Sequence, residues 1–235
     1  MDPRETLRAI VADGIVMDLY HAHEASSLDL FIGEHAEAIN HATFGAFFGN
    51  VQLIAGRYQV LSVARMFEAP SRWYTLRSIP TALKVLRKHG VDIPIEQRPG
   101  LEDELIRLGA DSRTLKKLTD SELTRFVTEF FEERLNSLRV PDRDGKEVLK
   151  DLKTVRDKLL SHHEHIESTA IRRPTYAELD VLLQFAREFV GAIGFGYFTI
   201  AYTDDSGTYG LDSDATRSTR CLGRILKRLG ALADT

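Results

Sequence analysis

The sequence predicts an all-α protein, on two observations. Apolar residues recur at helical spacing along nearly the whole chain, and no stretch alternates apolar with polar residues as a half-buried strand would. The expected elements are helices at 4–32, 36–69, 75–89, 101–117, 120–139, 145–163, 175–202 and 213–229. The first two fill the N-terminal quarter, and Ala69-Pro70-Ser71 ends the second. His89-Gly90 closes the third, and Ile93-Pro94 with Arg98-Pro99-Gly100 keeps the chain open until residue 101. Thr119-Asp120-Ser121-Glu122 has the residues of a helix start, and Pro141-Asp142-Arg143-Asp144-Gly145 is a turn before the sixth helix. Arg173-Pro174 precedes a capping box, with Thr175 as cap and Glu178 three residues on. The C-terminal helix, 213–229, is basic.

Residues 90–119 are rich in charge and loop signals and read as an insertion between the halves of one bundle. Because both halves are needed to bury the apolar faces, residues 1–235 are expected to form a single all-α domain.

Composition narrows the function classes. The chain has 235 residues, 43% of them hydrophobic and 28% charged, enough for a sizeable core. A net charge of −4 excludes coating nucleic acid by bulk electrostatics, so any RNA contact must come from local basic patches. Cys221 is the sole cysteine, which rules out an intramolecular disulfide and suits a reducing cytoplasm. Met1-Asp2-Pro3-Arg4-Glu5 has no signal-peptide pattern. The longest weakly polar run, Phe189 to Tyr202, is shorter than the ~20 residues of a membrane span. The expectation is a cytoplasmic protein without membrane association.

The stretch Arg156-Asp157-Lys158-Leu159-Leu160-Ser161-His162 puts a permanently charged guanidinium and a titratable imidazole near one helix end. That pair suits RNA transesterification. The 2′-hydroxyl supplies the nucleophile, so the protein need only move protons, a task for histidine, and stabilise phosphate charge, a task for arginine. On a helical wheel Val148, Leu152, Val155 and Leu159 form one stripe facing the core. Arg156 borders it on one side and His162 on the other, while His163 falls nearly in line with Arg156.

The Arg-to-His spacing resembles the Arg-x4-6-His motif of the HEPN superfamily, and is most similar to its abortive-infection AbiU-type branch. Phe47-Phe48, Arg57-Tyr58, Arg65-Met66-Phe67-Glu68 and Leu76-Arg77-Ser78-Ile79 extend the resemblance, from about residue 15 to about residue 200. The resemblance implies a HEPN-like bundle and a metal-independent endoribonuclease that acts as a homodimer, in antiviral defence or as a toxin. Two motif copies would meet in one cleft and cut RNA to a 2′,3′-cyclic phosphate. In the family pattern, Ser161 takes the small position and His162 the functional one, with His163 the alternate. Asp157 would orient Arg156 or the imidazole. An antitoxin or defence protein is a further expected partner. Some HEPN toxins carry a tyrosine two positions after the histidine, where a partner nucleotidyltransferase modifies it. Here that position is Glu164, so that route of neutralisation does not carry over. The alternative is a non-catalytic helical module binding RNA, nucleotide or protein.

Lys158 and the basic face of the last helix, Arg217, Arg220 and Arg224 with Lys227 and Arg228, are candidate contacts to an RNA backbone. Arg57 and Arg65 are expected to pair with carboxylates in the bundle. No cofactor and no metal are expected. Successive residues of His162-His163-Glu164-His165 point apart on a helix, and Glu34, Glu37 and His41, on one helical face at i, i+3 and i+7, are a lesser metal candidate. Gly191, Gly194 and Gly196 lie in an apolar helical run, where small residues permit close helix contact.

Overall fold

The computed structural model describes residues 2–140, 147–161, 171–202 and 209–232, and among these every regular element is helical. Helix α1 spans Pro3–Ile10, with the Asp2 side chain accepting from the Arg4 N–H and Pro3 in the first turn, where its missing N–H costs nothing. It runs through a π-helical turn, Val11–Ile15, into α2, Val16–Glu34. The expected helix 4–32 is thus a continuous helical path with one widened turn. Gly14 sits in that turn because Arg77 packs on it: a Cβ there would lie 2.3 Å from the Arg77 Cβ.

The expected helix 36–69 is two helices, α3 at Ala36–His41 and α4 at Gly45–Met66. Thr43 is the break. Its φ of 66° is left-handed, while the Phe44 N–H returns to the Ile39 carbonyl and that of Thr43 to Asn40, the bond pattern of a Schellman ending. This reversal lays α4 antiparallel on α2. Gln52 donates to the Asp29 carbonyl near the turn, and Arg65 faces Asp18 at the far end.

Helix α5, Ile79–His89, starts four residues later than the expected 75, because Ser78 is extended and its hydroxyl donates to the Glu68 carbonyl. A 3₁₀ turn, Gly90–Asp92, leads to α6 (Arg98–Arg107) and α7 (Ser112–Leu115) where one helix, 101–117, is expected. Gly109 separates them at φ 102°, a conformation natural to glycine. Helix α8, Asp120–Ser137, and α10, Tyr176–Phe198, both begin with complete capping boxes, at Thr119/Glu122 and Thr175/Glu178. Between them α9, Val148–Val155, continues as a π-helical turn, Arg156–Ser161. Thr199, left-handed at φ 57°, ends α10 short of the expected 202. The C-terminal stretch divides at Thr216 into α11 (Asp212–Ala215) and α12 (Arg217–Arg228).

Helix α10 keeps an exposed face in its first half, at Asp180, Val181 and Gln184, and from Phe189 to Phe198 runs through the core buried on nearly every side, as a stretch apolar all round must be. The Phe131 ring meets Phe189 edge-on at 5.2 Å. Ile93, Leu101, Leu105 and Leu115, from the stretch expected as an insertion, belong to the same core. Gly196 lets the Leu101 side chain approach α10 to contact distance, and Gly100 does the same for Phe195. A second, smaller cluster of Ile32, Ile39, Phe48 and Leu226 fastens α12 to the tip of the α2–α4 pair.

Candidate functional site

Arg156 opens the π-helical turn that continues α9. Leu152 and Val155 are buried and Val148 packs at the core edge, so these three members of the expected stripe face inward; the Leu159 side chain lies outside the described residues. From Arg156 to Ser161 the chain is π-helical, so a 100° wheel does not describe this stretch. π-Helical turns are frequent at functional sites. Both motif histidines, His162 and its alternate His163, lie outside the described residues.

The Arg156 side chain is 17% exposed and anchored by two carboxylates. Its Nε donates to Asp157 Oδ1 at 2.7 Å, Nη2 approaches the same oxygen at 2.7 Å, and Nη1 lies 3.2 Å from Glu68 Oε1. Burial works against the charge, but the bonds to Asp157 and the field of Glu68 outweigh it and hold the guanidinium above its ordinary pKa. Arg156 therefore stays protonated. A guanidinium has five N–H donors, and these contacts leave some of them for a phosphate. Asp157 thus contacts Arg156 directly. Glu68, two residues beyond the C-terminal end of α4, is a partner that no local spacing could reveal.

Glu68 also lines a cleft of about 430 Å³ between the α1–α2 path, α4 and the loop before α5, with Asp18, His21, Tyr58, Arg65 and Arg77 among its walls. Arg65 Nη1 stands 3.6 Å from Asp18 Oδ1. Burial pushes the Asp18 carboxyl up to about 6, and Arg65 restores only part of the difference. Arg77 Nη1 donates to the Asp13 carbonyl at 2.9 Å. The His21 and Tyr58 rings touch, with centroids 5.4 Å apart. Arg65 thus has the carboxylate partner expected for it, whereas Arg57, expected to pair likewise, is exposed and has no carboxylate within ion-pairing distance among the described residues. Asp18 and His21 carry no mark in the sequence that points to this cleft, and Arg77 entered only through the family resemblance.

Other expected groups lie apart from Arg156. Arg217, Arg220 and Arg224 are exposed on α12, and Arg220 donates to the Ser213 carbonyl. Helix α12 packs on α2 through Phe31 and Glu24, roughly 10–20 Å along that helix from Asp18 at 1.5 Å per residue. The basic stripe is thus at the opposite end of the α2–α4 pair. Lys158 follows Asp157 in the π turn and is half-buried. The metal candidate requires correction: α2 ends at Glu34 and His35 separates it from α3, so Glu34 and the pair Glu37 and His41 are on different helices and share no continuous face. No group of three or more histidine, cysteine or acidic side chains among the described residues could hold a metal ion. None of the described helices is long and apolar enough to cross a membrane.

Comparison with known proteins agrees with this architecture. No curated protein and no solved structure matches the chain. A family model described as AbiU2, of the HEPN type, matches residues 15–216. That match includes α2 through α10 and the Arg156 motif, and by it the chain belongs to the AbiU2 family of HEPN proteins.

Proposed function

We propose that the protein is a homodimeric, metal-independent endoribonuclease that acts in antiviral defence or as a toxin. The observation that carries this reading is Arg156 of the family's motif, charged and held by Asp157 and by Glu68, the latter a wall of an open cleft. In the proposed reaction the substrate's 2′-oxygen attacks the adjacent phosphorus and its proton passes to His162, or to His163 as the alternate. The bond from phosphorus to the 5′-oxygen breaks, and the departing oxygen takes a proton from a histidine. Arg156 stabilises the charge on the pentacoordinate phosphorus. The products are a 2′,3′-cyclic phosphate and a 5′-hydroxyl. One arginine and one histidine are a small catalytic set, and a symmetric dimer doubles it within one cleft.

The test is cleavage of RNA by wild type and by Arg156→Ala, in excess chelator, beside growth arrest on expression. Wild type should cut and arrest growth; Arg156→Ala should lose ~10²- to 10⁴-fold in rate with unchanged thermal unfolding. A substrate with 2′-hydrogen at the cut site should be inert. Cutting of that substrate, or activity that needs added divalent metal, overturns the mechanism. A monomer at micromolar concentration overturns the shared cleft. A non-catalytic module binding RNA, nucleotide or a protein partner is the second reading, favoured by the two carboxylates that already neutralise Arg156. Binding of RNA without cutting would select it.

A further inference from the structure

We propose that the cleft beside Arg156 is a nucleotide subsite for single-stranded RNA, taking a phosphate on Arg65 and Arg77 and a base on the rings of Tyr58 and His21. This rests on the reading of the chain as an RNA-directed protein and extends it to residues outside the Arg-to-His motif. The cleft shares a wall with that motif, because Glu68 lines it while contacting Arg156 at 3.2 Å. A nucleotide held there is a close neighbour of any phosphate on Arg156.

The side chains have the chemistry for this ligand. The Arg65 side chain is 54% exposed beside its pairing with Asp18. Arg77 is exposed and bonded only to a neutral carbonyl, and among the described residues neither it nor Arg57 nor Arg72 has a carboxylate within ion-pairing distance. Tyr58 presents a partly open ring braced by His21, whose Nδ1 is buried without a hydrogen-bond partner. The loop that supplies Arg77 also carries Trp73 and Tyr74, 90% and 65% exposed, next to Arg72. Exposed rings interleaved with arginines are the composition of single-strand nucleic-acid surfaces, where bases stack on aromatic faces and guanidiniums follow the backbone. The widened turn at Val11–Ile15 belongs to the same design, since Gly14 within it gives the Arg77 side chain its seat on the cleft rim.

The chain has a single tryptophan, Trp73, so its fluorescence reports on this loop alone. The experiment titrates the full-length protein with a mixed-sequence single-stranded ten-mer of 2′-O-methyl RNA, which cannot be cut, and follows Trp73 emission. Tyr58→Leu and Arg77→Gln are compared with wild type, each checked by thermal unfolding. Saturable quenching is expected for wild type, with binding weakened roughly 5- to 100-fold in Tyr58→Leu, the range for loss of a base stack. Arg77→Gln should weaken binding and flatten its salt dependence. With cleavable RNA both variants should raise KM more than they lower kcat. If wild type binds and cuts RNA but both folded variants match it, the subsite is overturned and the ribonuclease reading survives. If wild type neither binds nor cuts, both fall. If RNA leaves Trp73 unchanged while Tyr58→Leu dissolves a dimer in sizing experiments, the face is a protein interface and the subsite is overturned.

Discussion

Replacing Asp18 by asparagine should change how stability depends on pH, by an amount the structure sets. The carboxyl lies between α2 and α4 with its side chain 12% exposed, and its pKa rises from 3.8 to about 6, chiefly through burial, with Arg65 at 3.6 Å opposing. A folded pKa above the unfolded one means that the folded state binds more protons in the interval. The contribution is fully present below about pH 4 and is lost as pH rises through about 6. Two pKa units correspond to about 3 kcal/mol at ~1.4 kcal/mol per unit. Residual contact with water lowers the expectation to about 1–2 kcal/mol. Asparagine carries no charge at any pH, so it removes this term. His23 acts in the opposite direction: burial lowers its pKa from 6.5, against the pull of Asp212, and stability falls as pH drops below that value. Because His23 is present in both proteins, it cancels in their difference. Urea unfolding of wild type and Asp18→Asn at pH 4 and pH 8 measures that difference. The variant should gain about 1–2 kcal/mol relative to wild type on going from pH 4 to pH 8. A difference that does not change with pH would refute the burial argument; a change of opposite sign would show that Arg65 governs the carboxylate.

Three further outcomes follow from particular contacts. Gly14→Ala places a Cβ 2.3 Å from the Arg77 Cβ, and the overpacking, set against the better helix propensity of alanine, should cost about 1–2 kcal/mol in urea unfolding; a stabilised variant would mean that Arg77 does not need this seat. Thr175→Ala removes the cap of the central helix α10, whose hydroxyl accepts from the Glu178 N–H at 3.3 Å, and should lower stability by about 1 kcal/mol, with an unchanged urea midpoint counting against the box. Glu68→Ala should lower kcat for RNA cleavage more than it alters KM, because Glu68 positions Arg156. Glu68→Gln, which can still accept from the guanidinium, should recover part of the loss, and equal rates in all three proteins would remove Glu68 from the site.

The sequence by itself determines that the protein is helical, where most helices start, and which motif it carries. These properties are local. A 3.6-residue period, a Thr-x-x-Glu box and a proline act within a turn or two of the residues that encode them, so the capping box expected at Thr175 forms, and the helix start expected at Thr119 proves to be a second one. Helix breaks without such a marker were not legible. Thr43 and Thr199 take left-handed conformations that threonine seldom adopts, and at each the backbone N–H groups return to carbonyls of the helix just ended, Phe44 to Ile39 and Ile200 to Gly194.

The candidate site divides along the same line. Arg156 and its neighbour Asp157 are adjacent in sequence, so their pairing was accessible to a reading of the chain. The second carboxylate, Glu68, reaches Arg156 only because α4 is folded against α9, and Asp18 meets Arg65 only because α2 and α4 run antiparallel. The same packing raises the Asp18 pKa, since burial depends on which helices cover a side chain. The π-helical turns at Val11–Ile15 and Arg156–Ser161 have no signature in apolar periodicity. The first admits Arg77 against Gly14, and the second turns the residues after Arg156 away from a regular wheel. Tertiary packing alone decides both, because a widened turn gives up regular helical bonding and persists only where neighbouring elements fill the space it opens.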